Sequence, residues 1–379
     1  MSDDLITFIR ELYGSNDFIP LHAPTFNGNE KKYLESTIDS TFVSSVGKFV
    51  EEFERKVCIF TGSKYAIATV NGTSALHASL LLSSVERDSE VITQSLTFVA
   101  TINAIRYCQA KPVFVDINPL TLGLSPSSLE AFLDENCEMR NDGFCWNKKS
   151  GRKISACIVM HTFGFPVELD EIKIICNRFN IKLIEDAAES MGSLYKNIHV
   201  GNIGSLSVLS FNGNKIITTG GGGMILTNSI TLAKRAKHIT STAKVSHPWE
   251  FNHDEIGYNY RMPNLNASLG VAQIESLPAY LENKRAIAKA YHQWGIENGV
   301  QFMIEPKNTK SNYWLNTILT TDKKQRDDIL KKTNSCNVMT RPAWTPMHQL
   351  PINKDCQKFD LKNTEWLSDR ILNVPSSPN

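Results

Sequence analysis

One lysine in a polar, glycine-bounded turn stands out among the residues that could do chemistry. Lys215 follows the run Ser210-Phe-Asn-Gly-Asn and precedes Ile-Ile-Thr-Thr and four glycines, Gly220 to Gly223. Such glycines let the backbone bend and approach a ligand, so the amine can reach into a cleft. Upstream, Asp186 lies at the end of a predicted strand. An amine for a Schiff base and an anion for a ring nitrogen are the two protein groups that pyridoxal 5′-phosphate (PLP) requires.

Both residues also have plainer interpretations. A lysine beside glycines is often a solvated loop residue, and a strand-end aspartate is often a helix N-cap. A third feature, Asn71-Gly-Thr-Ser74, lies between a predicted strand and a predicted helix. The free N–H groups of that helix start could bind a phosphate, or the polar side chains could simply cap the helix. The order of the three features along the chain favours a cofactor site.

Length and charge restrict the classes of protein. With 379 residues and 41% hydrophobic content, the chain can form two domains, or one large domain with an appendage. Its 40 basic and 39 acidic residues give a net charge of +1, so we expect neither nucleic acid nor a membrane surface as a partner. No apolar run approaches the roughly 20 residues of a membrane span, and the acidic start does not resemble a signal peptide. We therefore expect a cytoplasmic protein.

Metal and disulfide chemistry are not expected. None of the eight cysteines forms a C-x-x-C pair, and most lie in apolar or mixed segments, which favours buried free thiols. The histidines are scattered, without the spacing that would put two on one helix face. The sequence therefore predicts no metal site.

Alternating strand and helix patterns predict the fold class. This alternation indicates an α/β domain with a mostly parallel sheet, and a smaller α+β domain follows where helical patterns dominate. We expect the division near residue 250, giving domains 1–250 and 251–379. The polar stretch 136–153 is expected to be a surface insertion and a candidate for disorder. Predicted helices are 31–40, 49–60, 75–82, 98–108, 169–179, 281–294 and 323–334, with helical patterns dominating the whole range 265–298. Predicted strands are 64–70, 90–93, 112–116, 154–160, 181–185, 205–211, 223–227 and 313–319.

Together the motifs resemble the DegT/DnrJ/EryC1/StrS family of sugar-nucleotide aminotransferases. The resemblance covers nearly the whole chain and includes Asn71-Gly-Thr-Ser-Ala-Leu76, Glu185-Asp-Ala-Ala-Glu-Ser190 and the lysine turn. Further matching segments are 42–54, 97–104, 257–264 and 340–348. The resemblance implies the PLP-dependent transferase fold of the aspartate aminotransferase type (fold type I).

The resemblance also implies roles for individual residues. Lys215 is similar to the lysine that forms the Schiff base with PLP, and Asp186 to the carboxylate that pairs with the pyridine nitrogen. Phe98 matches the aromatic residue that stacks on the cofactor ring, although ordinary core packing is its alternative. Asn259 matches a residue that reaches the phosphate from the other subunit of a homodimer with shared active sites. The matching phosphate contacts are Gly72, Thr73, Ser74 and Ser210.

Glu189 departs from a common pattern of the family. Many members have glutamine at this position, where the side chain meets the ring hydroxyl of PLP. Glutamate there, together with the form of the lysine turn, resembles the branch that aminates N-acetylated 4-keto sugars. The N-terminal run Phe8-Ile-Arg-Glu-Leu-Tyr-Gly14 resembles members linked to legionaminic acid and bacillosamine-type sugars. The turn is also similar to perosamine-type 4-aminotransferases.

Three further residues are weaker candidates for substrate contacts. His161 follows a predicted strand, and a structural role is an equal alternative for it. Arg341 and His348 lie in the matching segment of the smaller domain.

The resemblance implies transamination of a nucleotide-linked 4-keto-6-deoxy sugar, with L-glutamate as the amino donor. UDP-4-keto-6-deoxy-N-acetylglucosamine is the first expectation, and GDP- or dTDP-linked sugars, or a 3-keto sugar, are the alternatives. A dehydratase of the same fold would have histidine at the lysine position, and a silent sugar-binding homologue would be expected to lose Lys215 or Asp186. The terminal Pro-Ser-Ser-Pro-Asn379 stops where relatives continue, so further residues are expected beyond it.

Overall fold

The computed structural model describes residues 1–379. Its helices and strands follow in chain order. The α-helices are α1 Ser2–Tyr13, α2 Glu30–Asp39, α3 Lys48–Thr61, α4 Gly72–Leu82, α5 Val99–Tyr107, α6 Pro126–Asn136, α7 Leu169–Arg178, α8 Ile230–Thr240, α9 Asn264–Asn298, α10 Lys323–Ser335 and α11 Lys362–Ser368. The strands are β1 Tyr65–Thr69, β2 Glu90–Gln94, β3 Lys111–Val115, β4 Cys137–Met139, β5 Cys145–Asn147, β6 Lys153–Met160, β7 Lys182–Asp186, β8 Leu194–Tyr195, β9 Ile198–His199, β10 Leu206–Ser210, β11 Gly223–Thr227, β12 Gln301–Phe302, β13 Thr309–Lys310, β14 Asn316–Leu319, β15 Arg341–Pro342, β16 Lys358–Phe359 and β17 Ile371–Val374.

The large sheet has the order β1-β11-β10-β7-β6-β2-β3-β16. The run from β10 to β16 is parallel, whereas β11 runs antiparallel to both of its neighbours, β1 and β10. Seven strands, β1, β10, β7, β6, β2, β3 and β16, therefore end at the same edge of the sheet. The predicted α/β architecture with a mostly parallel sheet is confirmed.

These strands bury both of their faces, because apolar residues occupy both sets of alternating positions along them. In β6, Cys157 and Val159 belong to one apolar cluster, and Ala156 and Ile158 belong to another on the opposite face. Successive strand residues point to opposite faces, so a run of apolar residues feeds both clusters. Helices α3 and α9 pack on the first face, and α4, α5 and α8 on the second.

The polar insertion at 136–153 is ordered, contrary to expectation. Strands β4 and β5 form an antiparallel hairpin, and β5 pairs with β6. Its inward residues Cys137 and Cys145 are buried in the main core, while Asn147 donates hydrogen bonds to Glu90 and Gln357. These few inward contacts hold an otherwise polar segment on the sheet.

A second antiparallel sheet has the order β12-β14-β17-β15. The long helix α9 packs its first half on α2 and α3, while its later residues Ile287, Tyr291 and Trp294 pack with this sheet. Helix α1 belongs to the same cluster through Leu5 and Ile9, although it begins the chain. The division at residue 250 stays a prediction. None of the helices combines the length and the apolar character that crossing a membrane would require.

Candidate active site

The common strand edge brings the predicted site residues together. Asp186 ends β7, Ser210 ends β10, and Lys215 lies in the loop between β10 and β11. A cavity of about 300 Å³ lies at this edge. Open α/β sheets bind ligands outside the carboxyl ends of their strands. The lining includes seven of the nine predicted cofactor residues, namely Gly72, Thr73, Phe98, Asp186, Glu189, Ser210 and Lys215.

Helix α4 begins at the cavity wall. The Asn71 side chain caps it by accepting a hydrogen bond from the Ser74 amide at 2.8 Å. The amides of Gly72 and Thr73 have no partner within the helix, because the first turn has no preceding carbonyls. Both residues line the cavity, beside Ser210. A phosphate group is the natural ligand of such a helix start.

Glycine at position 223 allows this arrangement. A Cβ atom built on Gly223 would lie 2.4 Å from the carbonyl carbon and oxygen of Asn71. That distance is far below any ordinary contact, so no other residue fits here without moving backbone. The glycine run thus lets β11 pass directly beneath the start of α4.

The Lys215 amine is held between an acid and an aromatic ring. Its Nζ atom lies 3.2 Å from Oε1 of Glu189 and 4.2 Å from the centre of the Trp314 ring. The Trp314 indole N–H donates to the Asn214 carbonyl at 2.8 Å, which fixes the ring beside the lysine loop. The lysine side chain is 13% exposed, so it reaches the cavity but not open solvent.

Glu189 is buried and poised to change its protonation. Burial raises the pKa of Glu189 to about 7, while the positive charge of Lys215 and the hydrogen bond from the Phe163 amide oppose that rise. The Phe163 N–H donates to Oε2 at 2.9 Å, leaving Oε1 for the lysine. Glu189 can therefore exchange a proton near neutral pH with a group in the cavity.

Asp186 is a buried carboxylate with one side facing the cavity. The Thr101 hydroxyl donates to its Oδ2 at 2.8 Å, and the Ala188 amide donates to its Oδ1 at 3.2 Å. Burial raises the pKa of Asp186, against the effect of these bonds and of Lys215. A protonated ring nitrogen would supply the positive partner that this carboxylate lacks.

Three aromatic side chains line the cavity, namely Phe98, Trp314 and Trp344. Phe98 and Trp344 have ring centres 5.9 Å apart, and Trp344 also packs on Phe163 at 5.1 Å. Phe98 is 47% exposed, so its ring is not consumed by core packing. A planar heterocycle fits beside such a ring, with Phe98 on one face.

The polar and charged groups that line the cavity fit PLP. The helix start with Ser210 and Thr73 would hold the phosphate, and Asp186 would pair with the ring nitrogen. Lys215 would bond the carbonyl carbon, with Glu189 beside the ring hydroxyl. Each group lines the same cavity, and each has the charge or the hydrogen-bonding capacity that its part of the cofactor needs.

The fold and this cavity define a PLP-dependent aminotransferase of fold type I. A profile described as the DegT/DnrJ/EryC1/StrS aminotransferase family matches residues 24–379. The chain therefore belongs to that family, and it is a sugar aminotransferase. The resemblance inferred from the motifs is confirmed, and so are the fold and the cofactor.

Named relatives agree with this assignment. The chain is 36% identical to the GDP-perosamine synthase of Escherichia coli O157:H7 over 363 residues, covering 96% of this chain and 94% of that protein. It is 36% identical to the putative PLP-dependent aminotransferase EpsN of Bacillus subtilis, covering 95% and 91%. The crystal structure of the aminotransferase TlmJ from Streptoalloteichus hindustanus superposes with a TM-score of 0.85 at 26% identity, covering 95% and 93%.

The two candidate histidines lie away from the cavity lining. His161 is fully buried, its Nδ1 accepts a bond from the Val167 amide, and its Nε2 lies 3.1 Å from Glu185. Both ring nitrogens of His161 therefore have partners within the protein, and neither faces the cavity lining. His348 bonds Ser95 through Nδ1 at 2.7 Å, and its Nε2 lies 3.3 Å from a Glu365 oxygen.

Three other predicted residues also lie outside this lining. Arg341 is exposed and donates to Asn334 and to the Thr340 carbonyl, so it does not reach the cavity of its own chain. Ser74 is buried in the first turn of α4. Asn259 is exposed, and its backbone pairs with Ser241. Conversely, the sequence did not single out Thr101, Trp314 and Trp344 as site residues.

One surface cluster has potential metal ligands. His238, Asp254 and Glu255 bring ligand atoms within 4.8 Å of one another. Arg235 already pairs with Glu255, and His238 bonds Asp254 at 2.7 Å. The polar atoms of the cluster are therefore already paired with one another and with Arg235 at the surface.

Replacing Glu189 by glutamine should change how stability depends on pH in the PLP-free protein. Because the pKa rises from 4.5 to about 7 on folding, the folded chain binds this proton more tightly than the unfolded chain does. The contribution of Glu189 to the free energy of unfolding should then fall by roughly 3 kcal/mol as pH rises through that window. Urea unfolding between pH 4.5 and 8 should show this slope in the wild type and lose it in Glu189→Gln. The exposed Glu135→Gln is the control, and an unchanged slope in Glu189→Gln would contradict the burial argument.

Proposed function

We propose that this enzyme transfers an amino group from L-glutamate to C4 of a nucleotide-linked 4-keto-6-deoxy sugar. The observation that carries the proposal is the convergence of Lys215, Glu189 and Asp186 on one cavity. The lysine that a dehydratase would lack is present, and so is the carboxylate that a silent homologue would be expected to lose. PLP, when bound, supplies a conjugated ring that accepts electrons as the α-proton of the donor leaves, and a carbon that carries the nitrogen between the two substrates.

The chain contributes binding, orientation and proton movement. The start of α4 and Ser210 bind the phosphate, and the Asp186 carboxylate keeps a proton on the ring nitrogen. The Lys215 amine takes the proton from the α-carbon of the donor and returns a proton at the sugar carbon in the second half of the reaction. Glu189, 3.2 Å away, orients the amine.

The aromatic side chains that line the cavity exclude water from the site. Trp314 is almost fully buried, and Trp344 and Phe98 cover the remaining sides of the cavity. Shielding from water strengthens the charge interactions of Lys215 and Asp186 and suppresses hydrolysis. The smaller part of the chain supplies both tryptophans, so its packing on the large sheet completes the site.

Two nucleotide choices have specific support. Glu189 and the form of the lysine turn favour a UDP-linked N-acetylated 4-keto sugar. Relatives from Escherichia coli and Vibrio cholerae that are named GDP-perosamine synthase, at 36% and 33% identity, favour a GDP-linked sugar. The UDP choice rests on residues of the site, and the GDP choice rests on overall sequence similarity.

A direct assay separates these choices. The purified enzyme is incubated with PLP, L-glutamate and 4-keto or 3-keto sugars linked to UDP, GDP or dTDP, and the amino sugars and 2-oxoglutarate are measured. One 4-keto sugar should have a kcat/KM at least about tenfold above the others, equivalent to about 1.4 kcal/mol in the transition state. Formation of 2-oxoglutarate with none of the 4-keto sugars, or a preference for a 3-keto sugar, would overturn the proposal.

We also propose that two copies share their active sites. Asn259, which the family resemblance assigns to the phosphate of a partner subunit, lies outside the cavity of its own chain. The segment before it carries Trp249, Phe251 and Ile256, each more than three-quarters exposed. Burial of such side chains against a second copy would remove a large apolar area from water and bring Asn259 to the neighbouring site.

A charge placed at Asn259 should weaken cofactor binding across the interface. In Asn259→Asp, a carboxylate of nearly the same shape would oppose the phosphate, and the dissociation constant of PLP should rise at least about tenfold, or about 1.4 kcal/mol. PLP titration followed by absorbance measures this. Asn252→Asp, an exposed change in the same segment, is the matched control.

Mixing experiments test the sharing directly. Chains with Lys215→Ala and chains with Asn259→Asp, each inactive at limiting PLP, should regain about a quarter of wild-type activity after subunit exchange. Half of the dimers would then be hybrids with one intact site each. An active monomer in sedimentation at the assay concentration would exclude the arrangement.

A further inference from the structure

A second cavity lies at the opposite edge of the large sheet. It has a volume of about 520 Å³, and we call it the basic pocket. Lys111 begins β3, Glu90 begins β2 and Arg152 immediately precedes β6, so the pocket lies at the amino ends of these strands. The PLP site lies at their carboxyl ends, a strand length of roughly 16 Å away. The basic pocket is therefore separate from the catalytic cavity.

Besides the starts of β2 and β3, three distant segments of the chain build this pocket. The turn after the hairpin β4–β5 supplies Lys149, Ser150 and Arg152, the last turn of α5 supplies Arg106, and residues 352–357 form the remaining wall. Arg106 ties two of these segments together. Its Nη2 donates to the Ile352 carbonyl at 3.2 Å and to Asn353 Oδ1 at 3.1 Å. The guanidinium is thus held at the pocket wall by neutral partners.

Positive charge dominates the lining. Five cationic side chains, Arg106, Lys111, Lys149, Arg152 and Lys354, face only two carboxylates, Glu90 and Asp355. No carboxylate oxygen lies within 4.0 Å of a nitrogen of any of the five. The excess of three positive charges is unusual in a chain whose net charge is +1. A concave site with one sign of charge concentrates counter-ions of the other sign.

The two acids do not neutralise the pocket. The Glu90 side chain is buried and accepts a hydrogen bond from Asn147 at 2.7 Å, so its charge is partly satisfied by the hairpin. Burial raises the pKa of Glu90, and the hydrogen bond from Asn147 and the charge of Arg152 oppose that rise. At the thiol of Cys356, burial raises the pKa while the charges of Arg106 and Lys111 oppose that rise, as expected of a positive local field.

We propose that the basic pocket binds a small, multiply charged phosphate anion through its phosphate groups. Arginine and lysine side chains are suited to phosphate oxygens, and Ser150 and Gln357 add neutral hydrogen-bonding groups. The lining has no aromatic residue on which a base could stack. Recognition should therefore depend on the number of phosphates and not on a nucleobase.

Calorimetry with the holoenzyme at low ionic strength tests the inference, with inorganic pyrophosphate as the probe. PLP then fills the cofactor phosphate site, while the place of the substrate's nucleotide in the catalytic cavity stays open. The heat that is lost in the charge-reversed variant described below, which leaves the catalytic cavity unchanged, therefore reports the basic pocket. Pyrophosphate should bind with one site per chain and more tightly than inorganic phosphate. The part of GDP and UDP binding that the charge-reversed variant removes should be about as tight as the binding of pyrophosphate.

Charge reversal supplies the discriminating variants. Lys111→Glu combined with Lys354→Glu, both at exposed positions, should weaken pyrophosphate binding at least about tenfold, with turnover unchanged. Lys324→Glu, at an exposed lysine on α10, should leave binding unchanged. Pyrophosphate binding that survives the double change would overturn the proposal. So would binding of poly-glutamate alone, which would indicate an acidic protein partner instead.

Discussion

Lys215→Ala should abolish turnover while leaving a folded protein. The side chain is the only amine in the cavity lining. The proposed function assigns to it both the bond to PLP and the proton transfer at the α-carbon. General acid–base catalysis alone accounts for about 10²–10⁴ in rate, so kcat should fall by at least about that factor. Turnover with glutamate and the preferred keto sugar measures the loss.

Covalent trapping separates this role from a structural one. Borohydride reduction of the wild-type holoenzyme should attach PLP to the peptide that contains Lys215, as detected by mass spectrometry. The variant should show no such adduct, and a small primary amine added to it should restore part of the proton transfer. Lys289→Ala, an exposed change on α9, is the control. Wild-type turnover in Lys215→Ala would refute the assignment.

Local sequence signals predicted the layers of the fold well. Strands such as β2, β3 and β11 and helices such as α3 and α7 lie within two residues of their expected bounds, whereas α9 is far longer than the expected helix 281–294. They could be predicted because apolar spacing and glycine or polar boundaries all point to the same element. Helix α4 begins three residues before its predicted start, because Asn71 and not Ser74 caps it.

Elements with weak local signals were missed. The hairpin β4–β5 is polar over most of its length, and only the burial of residues such as Cys137 and Cys145 against distant strands defines it. Helix α1 depends in the same way on its contacts with the end of the chain. Such structure results from tertiary packing, which a short window of sequence does not contain.

The residues of the candidate site also fall into two groups: those that a local motif predicts, and those that only the tertiary fold brings to the cavity. Lys215, Asp186 and Glu189 could be predicted because each lies within a motif beside a strand end. Thr101 and Trp314 could not, since their positions depend on how separate elements meet: Thr101 bonds Asp186 from a helix 85 residues away. Trp344 lies in a segment quoted for the resemblance, but only the fold shows that its ring covers the cavity.

A second buried aspartate makes the role of Asp186 testable. Asp116 follows β3 as Asp186 ends β7, and it is also buried. Its carboxylate accepts hydrogen bonds from the amides of Asn363 and Thr364, at the start of α11. Asp116 therefore matches the helix-capping interpretation that the sequence left open for Asp186, and it provides the control for that interpretation.

Asp186→Asn should slow catalysis by about 10²–10⁴ without unfolding the protein. The amide keeps the shape of the side chain, and the Thr101 hydroxyl can reorient to accept a bond from it. A neutral partner no longer holds the proton on the ring nitrogen, so removal of the α-proton becomes the slow step. Single-turnover kinetics with glutamate should show the lower rate and a larger isotope effect with α-deuterated glutamate.

The matched change Asp116→Asn should give the reverse pattern. Its loss of helix-cap acceptors should lower the free energy of unfolding by about 0.5–2 kcal/mol, with kcat per folded molecule unchanged. Because burial raises the pKa of Asp186, removing that charge should leave the PLP-free protein at least as stable as the wild type. If Asp186→Asn instead lost stability and kept the wild-type proton-transfer rate, Asp186 would be a cap like Asp116.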